Sequence, residues 1–177
     1  MTLPWWNRSE ATAIVPEPWL HIAVVDYLAR LLSPGDTVIE HGSGGSTLWL
    51  AARVAKVISV EHDPDWYQVI LPRLPQNVTL HLDITGDIPA NLPRADLLLI
   101  DGEPIESRAQ WILCAPALVR PGGIVVLDNA NRPEYADERV SLTLKARQHI
   151  TFDVNAHGTR HLYTVFYLMP GGDRAWI

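Results

Sequence analysis

"TVIEHGSGGSTLWLA", Thr37 to Ala51, begins as a short apolar run that ends in the acid Glu40. Three glycines follow at 42, 44 and 45, and a segment of helical pattern comes next. A strand that enters a helix through a glycine-rich turn exposes backbone N–H groups and permits positive φ. The helix N-terminus beside it favours a carboxylate or phosphate. A tight turn with no ligand would use the same residues, so the surrounding chain has to decide between the two readings.

Outward from this stretch, strand and helix alternate. On the N-terminal side, "PEPWLHIAVVDYLARLLSPGD" reads as a helix with Leu20, Val24, Leu28, Leu31 and Leu32 on one face, stopped by "SPGD". On the C-terminal side, "VISVEH" is a second buried strand. "DPDWYQVILPRL" opens a helix with Asp63 as N-cap and Pro64 at its first position. "VTLHL" and "ADLLLIDG" are the third and fourth strands. "ESRAQWILCAPALV" is a helix ending at "RPGG", "IVVLDN" the fifth strand, and "DERVSLTLKARQHI" the last long helix. "TFDVNAH" and "HLYTVFYLM", joined around Gly158, form an antiparallel pair. Strands that are continuous apolar runs belong in a sheet covered on both faces. The pattern predicts a doubly wound, mostly parallel α/β sheet with helices on both faces and a C-terminal antiparallel hairpin at or near one edge.

The 177 residues suit one domain with a sizeable core. Hydrophobic residues at 47% and charged ones at 19% are an ordinary globular balance. The net charge of -6 argues against general nucleic-acid binding, which rests on cationic contacts to phosphates. Cys114 is the one cysteine and sits in an apolar run, where it reads as a packed core residue. No apolar stretch reaches membrane-spanning length, and "MTLPWWNRSEA" lacks the pattern of a signal peptide, so a soluble, cytoplasmic protein is expected. A homo-oligomer is left open. Trp5 and Trp6 are expected to pack on the domain or wall a pocket.

In a doubly wound sheet, ligands bind beyond the carboxyl ends of the strands. The second strand ends in Glu61, nineteen residues after Gly42, where an acid typically accepts from both ribose hydroxyls. The glycine turn and Glu61 together point to an adenosine-type ligand. At the ends of strands four and five stand Asp101 and the pair Asp128–Asn129. Adjacent strands lie about 5 Å apart, so these groups can converge. Two carboxylates and a carboxamide oxygen make a hard oxygen set suited to Mg²⁺. The competing reading places Asp101 on the cofactor or at a helix cap.

"VIEHGSGGSTLWLA" followed by "VISVEHDPDWY", and then "ADLLLIDG", "RPGGIVVLDN" and the terminal hairpin, resembles the S-adenosylmethionine-dependent methyltransferases with the Rossmann-like fold. The resemblance implies a seven-stranded sheet whose last strand is antiparallel. It implies a single domain over 1–177, with 1–35 an N-terminal segment and helix and 36–177 the cofactor-binding core. Glu40 and the turn of Gly42, Ser43, Gly44 and Gly45 are implied to approach the methionine part of S-adenosylmethionine. By the same resemblance Glu61 holds the ribose, His62 lies against the adenine, and Asp83, Ile84 and Thr85 contact its edge, with Asp101 also near the cofactor. An acid after strand four and Asp-Asn after strand five looks like the metal site of catechol-type and caffeoyl-type O-methyltransferases, which makes Asp101, Asp128 and Asn129 candidates for catalysis and for Mg²⁺. Those enzymes carry a lysine soon after the first acid. Here "DGEPIESR" has none, and Arg108 is the nearest cation. His41 replaces a commoner apolar residue and reads as a packed histidine. Asn131, Arg132, Glu134 and Tyr135, in the loop after strand five, are candidates to face a substrate.

The expected activity is methyl transfer to a small-molecule acceptor, at oxygen. Two alternatives stay open: a non-catalytic S-adenosylmethionine- or nucleotide-binding module, and a nicotinamide-dependent oxidoreductase.

Overall fold

The computed structural model describes residues 14–156 and 160–173, with the side chains of 154–156 and 160–162 excepted. Trp5, Trp6 and the turn at Gly158 lie outside the described residues. The strands are β1 (Thr37–His41), β2 (Lys56–Glu61), β3 (Val78–Leu82), β4 (Ala95–Ile100), β5 (Val119–Leu127), β6 (Gln148–Ala156) and β7 (Arg160–Leu168). The helices are α1 (Ile22–Leu31), α2 (Gly45–Ala51), α3 (Pro64–Ile70), α4 (Ile105–Leu118) and α5 (Ala136–Lys145). The seven strands form one sheet in the order β3-β2-β1-β4-β5-β7-β6. β1 to β5 pair in parallel, while β7 pairs antiparallel with both β5 and β6. This is the expected α/β sheet with its closing hairpin.

Strand alternation divides the core into two layers. Ile39, Ile58, Leu98 and Val125 pack with Trp111, Ile112 and Ala115 of α4 and Leu142 of α5. Val38, Val57, Leu97 and Ile124 pack with Val24, Leu28 and Leu31 of α1 and with Trp49 and Leu50 of α2. The sheet order reverses between β1 and β4, so the crevice at their carboxyl ends is the topological switch point where ligands bind in such folds.

Several boundaries differ from the sequence expectation. α1 starts at Ile22, capped by His21, whose Nδ1 accepts from Ala23 N–H at 3.2 Å. Pro16 and Pro18 keep the preceding residues out of the helix, because a residue before proline is driven out of the helical region, and Glu17 N–H donates to Val15 O at 2.8 Å to close a tight turn at Pro16. β5 starts at Val119 and takes in "RPGG" as an irregularity of its pairing with β4, with Gly122 at φ +72. The last helix ends at Lys145 and "QHI" opens β6. The cap at α3 is as read: Asp63 Oδ1 accepts from Asp65 N–H at 2.9 Å and Trp66 N–H at 3.1 Å. Among the described residues, no helix is long and apolar enough to cross a membrane.

Candidate active site

The three glycines of the β1–α2 turn serve three different ends. A Cβ on Gly42, which has φ +95, would lie 2.8 Å from the Cα of Gly102, so the ends of β1 and β4 meet there backbone to backbone. A Cβ on Gly45 would strike Val15 O and would lie 2.5 Å from Glu17 O, because the turn before α1 crosses the start of α2. Only Gly44 faces open space, with one atom of the Trp66 ring at 4.0 Å from where its Cβ would be. Trp66 is fixed there by its Nε1–H, which donates to Ser43 O at 2.9 Å. The surface left for a ligand at this turn is therefore Ser43 and Gly44, walled by Trp66.

Glu40 lies beneath the turn rather than in the cleft. Its carboxylate accepts from Ser46 Oγ at 2.5 Å, from Thr47 Oγ1 at 2.6 Å and from Ser59 Oγ. Thr47 Oγ1 in turn accepts from Gly44 N–H at 2.9 Å. Burial pushes the Glu40 carboxyl above its ordinary pKa, with Glu61 adding to the rise and the three hydroxyls opposing it. Glu40 thus anchors the first turn of α2 and, through Thr47, the backbone at Gly44.

Glu61 ends β2 at the cleft and is 2% exposed. Its Oε1 accepts from His62 N–H and Asp63 N–H, both at 2.9 Å. Its Oε2 accepts from Ser43 N–H at 3.1 Å and from the Ser43 hydroxyl at 2.6 Å. Three backbone donors aim the carboxylate, and on Oε2 the Ser43 hydroxyl is the donor that can turn away and cede its place to an incoming ribose hydroxyl. The donor set fits a ribose. His62 Nδ1 lies 3.1 Å from Glu61 Oε1, and this contact raises the His62 pKa, helped by Asp63 and Glu103 and opposed by burial. In the segment after β3, Asp83 Oδ1 accepts from Thr85 N–H at 3.0 Å and from the Thr85 hydroxyl at 2.6 Å, a bond that holds its pKa down. Ile84 is exposed beside it. Asp83 and Thr85 thus form a local turn around the exposed Ile84.

Asp101 and Asp128 stand at the adjacent ends of β4 and β5, where Asp128 N–H donates to Ile100 O at 3.1 Å, and their carboxyls interact electrostatically. Burial and the neighbouring Asp128 charge hold the Asp101 carboxyl well above the usual range, against the pull of Arg108. The Asp101 side chain is still 33% exposed, so solvent tempers the burial part and the adjacent carboxylate is the firmer cause. Asp128 is buried: Oδ1 accepts from Thr164 Oγ1 at 2.6 Å and Oδ2 from Asn129 Nδ2 at 2.5 Å. Asn129 sits at φ +52, and its carboxamide oxygen accepts from Arg132 Nη2 at 2.8 Å.

These residues do not fit a divalent cation as they stand. Both Asp128 oxygens are taken by protein donors, Asn129's oxygen is turned to a guanidinium, and Asp101 lies beside Arg108. Among the described residues, no group of three or more His, Cys, Asp or Glu could hold a metal ion.

Sequence reasoning passed over Arg108 as a structural element. It is 1% exposed and binds the backbone ends of β4 and β5. The only local signal was its position where a lysine was expected. Tyr135, a candidate to face a substrate, is instead buried: its hydroxyl donates to Asn129 O at 2.7 Å and locks the β5 turn. Arg132 stays at the mouth, 4.0 Å from Glu103, while Asn131 and Glu134 are exposed. His41 is packed as read, stacked on Trp111 at 4.9 Å with its Nε2 2.9 Å from Ser107 Oγ. Its Nδ1 is buried without a partner.

Residues 39–130, more than half of the chain, match the model of a family described as a methyltransferase domain. Solved structures similar to the chain include a SAM-dependent O-methyltransferase from Thermotoga maritima, at 15% identity and TM-score 0.67, over 90% of this chain and 69% of that one. A precorrin 8W decarboxylase from Methanobacterium thermoautotrophicum is 22% identical, with TM-score 0.62 over 92% of this chain and 94% of that one. An rRNA methylase from Streptococcus thermophilus is 15% identical, with TM-score 0.65 over 84% and 95%. At these identities the likeness speaks for the fold. No curated protein matches the chain. The matched segment runs from β1 to just past β5 and so spans the glycine turn, Glu61, Asp101 and Asp128: the chain belongs to the methyltransferase-domain family and has the Rossmann-like fold of the S-adenosylmethionine-dependent methyltransferases.

Proposed function

We propose that the protein binds S-adenosylmethionine and transfers its methyl group to a small-molecule acceptor at oxygen. The cofactor supplies an activated methyl group on a sulfonium, so the protein's part is mainly to align the acceptor and remove its proton. Glu61 would take the ribose hydroxyls in exchange for the Ser43 hydroxyl, and Gly44 with the Trp66 wall would leave room for the methionine part. His62, Asp83, Ile84 and Thr85 would flank the adenine.

The observation that carries the acceptor reading is Asp101. It is a strand-end carboxyl, open to the cleft and placed against a second carboxylate that raises its proton affinity. A carboxylate tuned upward is a better proton acceptor for a hydroxyl than an ordinary one. Asp128 and Asn129 would hold Asp101 in place and shape the acceptor side. The net charge of -6, with Glu61, Asp101, Glu103 and Asp128 around the crevice, supports a small molecule over a polyphosphate chain.

The experiment is calorimetry with S-adenosylhomocysteine and with NADH, followed by incubation with S-adenosylmethionine and a panel of phenols and catechols. Binding of the first ligand, none of the second, and methylated product are expected. Binding without turnover on any acceptor would favour the non-catalytic module. Binding of NADH in place of S-adenosylhomocysteine would overturn the proposal.

A further inference from the structure

Beneath the acceptor side of the crevice, Arg108 of α4 reaches three backbone carbonyls. Its Nε–H donates to Gly102 O at 2.8 Å, Nη1 to Asp128 O at 2.9 Å and Nη2 to Asp101 O at 2.5 Å. These carbonyls belong to the residues that follow β4 and β5. One side chain therefore ties together the two stretches of backbone that carry the carboxyl pair. Nη2 also lies 3.4 Å from Asp101 Oδ1, and Nη1 lies 3.5 Å from the Tyr135 hydroxyl. A guanidinium keeps its charge in proteins and offers five donors in a rigid fork. Here the fork is spent on main-chain oxygens, while its charge faces a carboxyl pair from below.

We propose that Arg108 is the resident cation of this crevice. Its fixed charge fills the electrostatic role that two adjacent carboxyls would otherwise give to a divalent ion, and its fork sets the spacing of Asp101 and Asp128 through their own backbone. The chemical purpose of this arrangement rests on the methyl-transfer reading, but the arrangement can be tested without it. Two features support the proposal independently of one another. A dication drawn to the pair would sit beside a buried positive charge within a few ångströms of Asp101, where like charges repel strongly. The third candidate donor, the Asn129 oxygen, is already engaged by a second guanidinium, that of Arg132. Arg108 is thus a positioning residue that makes the carboxyl pair self-sufficient.

Mn²⁺ alone is the probe. It is titrated into the full chain, with free Mn²⁺ followed by electron paramagnetic resonance. The wild-type protein is expected to take up no Mn²⁺ that depends on Asp128. Arg108→Gln keeps donors for the carbonyls but removes the charge, and should bind Mn²⁺ roughly tenfold or more tightly than wild type, the scale on which a neighbouring charge shifts a carboxylate's ion affinity. Asp128→Asn in that background should abolish the gain. Arg108→Lys keeps a charge and should remain like wild type in the titration, a difference between the two variants that a merely structural role would not produce. Mn²⁺ uptake by the wild-type protein that Asp128→Asn removes would overturn the proposal. So would a folded Arg108→Gln, checked by circular dichroism, that binds Mn²⁺ no better than wild type. If Arg108→Gln does not fold, the wild-type titration still decides. S-adenosylhomocysteine calorimetry on the same wild-type sample reports separately on the methyl-transfer reading, so the failure of one is distinguishable from the failure of the other.

Discussion

The Ser43 hydroxyl donates to Glu61 Oε2 at 2.6 Å and is the side-chain donor on that oxygen, while His62 Nδ1 lies 3.1 Å from Oε1. On the proposed function a ribose takes its place, so the two residues are expected to respond differently. Glu61→Gln should weaken S-adenosylhomocysteine binding by about 1–3 kcal/mol, the range for charge-assisted hydrogen bonds. Ser43→Ala removes only the occupant that the ligand displaces, and should leave affinity within about threefold of wild type, under 1 kcal/mol. Calorimetry on both variants checks this. Equal loss in the two would mean that the serine holds the cofactor and the acid does not.

Gly44 and Gly45 are neighbours with different expected phenotypes. Gly45→Ala forces Val15 and Glu17 to move, and should lower stability by about 1–3 kcal/mol, as overpacking does. Gly44→Ala meets no protein atom closer than Trp66 and should melt like wild type, but its methyl group occupies the proposed ligand space and should weaken S-adenosylhomocysteine binding. Thermal melts paired with calorimetry separate the two. Normal binding by Gly44→Ala would make the turn purely structural.

Asp101 has its pKa raised in the folded protein. The folded state then holds the proton more tightly than the unfolded state. The associated stability is present below the ordinary carboxylate pKa and is lost as pH rises through the folded value. Asp101→Asn should therefore melt higher than wild type at pH 8, with the gap closing at low pH. The same raised proton affinity predicts that methyl transfer increases with pH through a step above the usual carboxylate range, and that Asp101→Asn abolishes turnover while S-adenosylhomocysteine still binds. A pH series of melts and initial rates checks both.

His41 has the opposite linkage. Burial, with Arg108 and His62 nearby, lowers its pKa from 6.5 to about 3. The unfolded chain binds the proton first as pH falls, so stability drops between pH 6.5 and about 3, with a slope approaching about 1.4 kcal/mol per pH unit from this group. His41→Phe retains a ring against Trp111 and should flatten that slope. Denaturant melts at pH 7, 5 and 4 measure it. An unchanged slope would mean that the imidazole takes up its proton in the folded state.

What the sequence made legible was periodic or local. The apolar runs of β1, β2, β4 and β5, the Asp63 cap with Pro64 behind it, and the antiparallel pairing of the last two strands all follow from patterns a few residues long. The position of Glu61 at a strand end was legible for the same reason. Contacts between distant segments were not. Gly42, Gly44 and Gly45 look alike in the sequence, and only the approach of Gly102 to the first and of Val15 and Glu17 to the last tells them apart. Glu40 reads as a cleft acid until Ser59, from the next strand, is seen to share its carboxylate with Ser46 and Thr47. Arg108 reads only as the nearest cation and Tyr135 only as a loop residue, because the carbonyls they bind lie at the ends of other elements. The boundary error at β5 has a local source: proline and glycine punctuate the chain, yet a strand can absorb them as a bulge, as at Gly122.

The passage of Val15 to Glu17 over Gly45 bears on how the protein can be cut, tagged or permuted. A fragment beginning at Asp36 would contain every strand and every proposed ligand contact. It would also leave the first turn of α2 uncovered and strip Val24, Leu28 and Leu31 from the sheet face formed by Val38, Leu97 and Ile124. A trimming series should therefore show a cliff once the crossing segment is removed, and the damage should register at the cofactor turn, far along the chain from the cut. A fusion partner placed close to Val15 would press on the same turn. For anyone engineering the protein, the minimal unit is set by this crossing and not by the strand count.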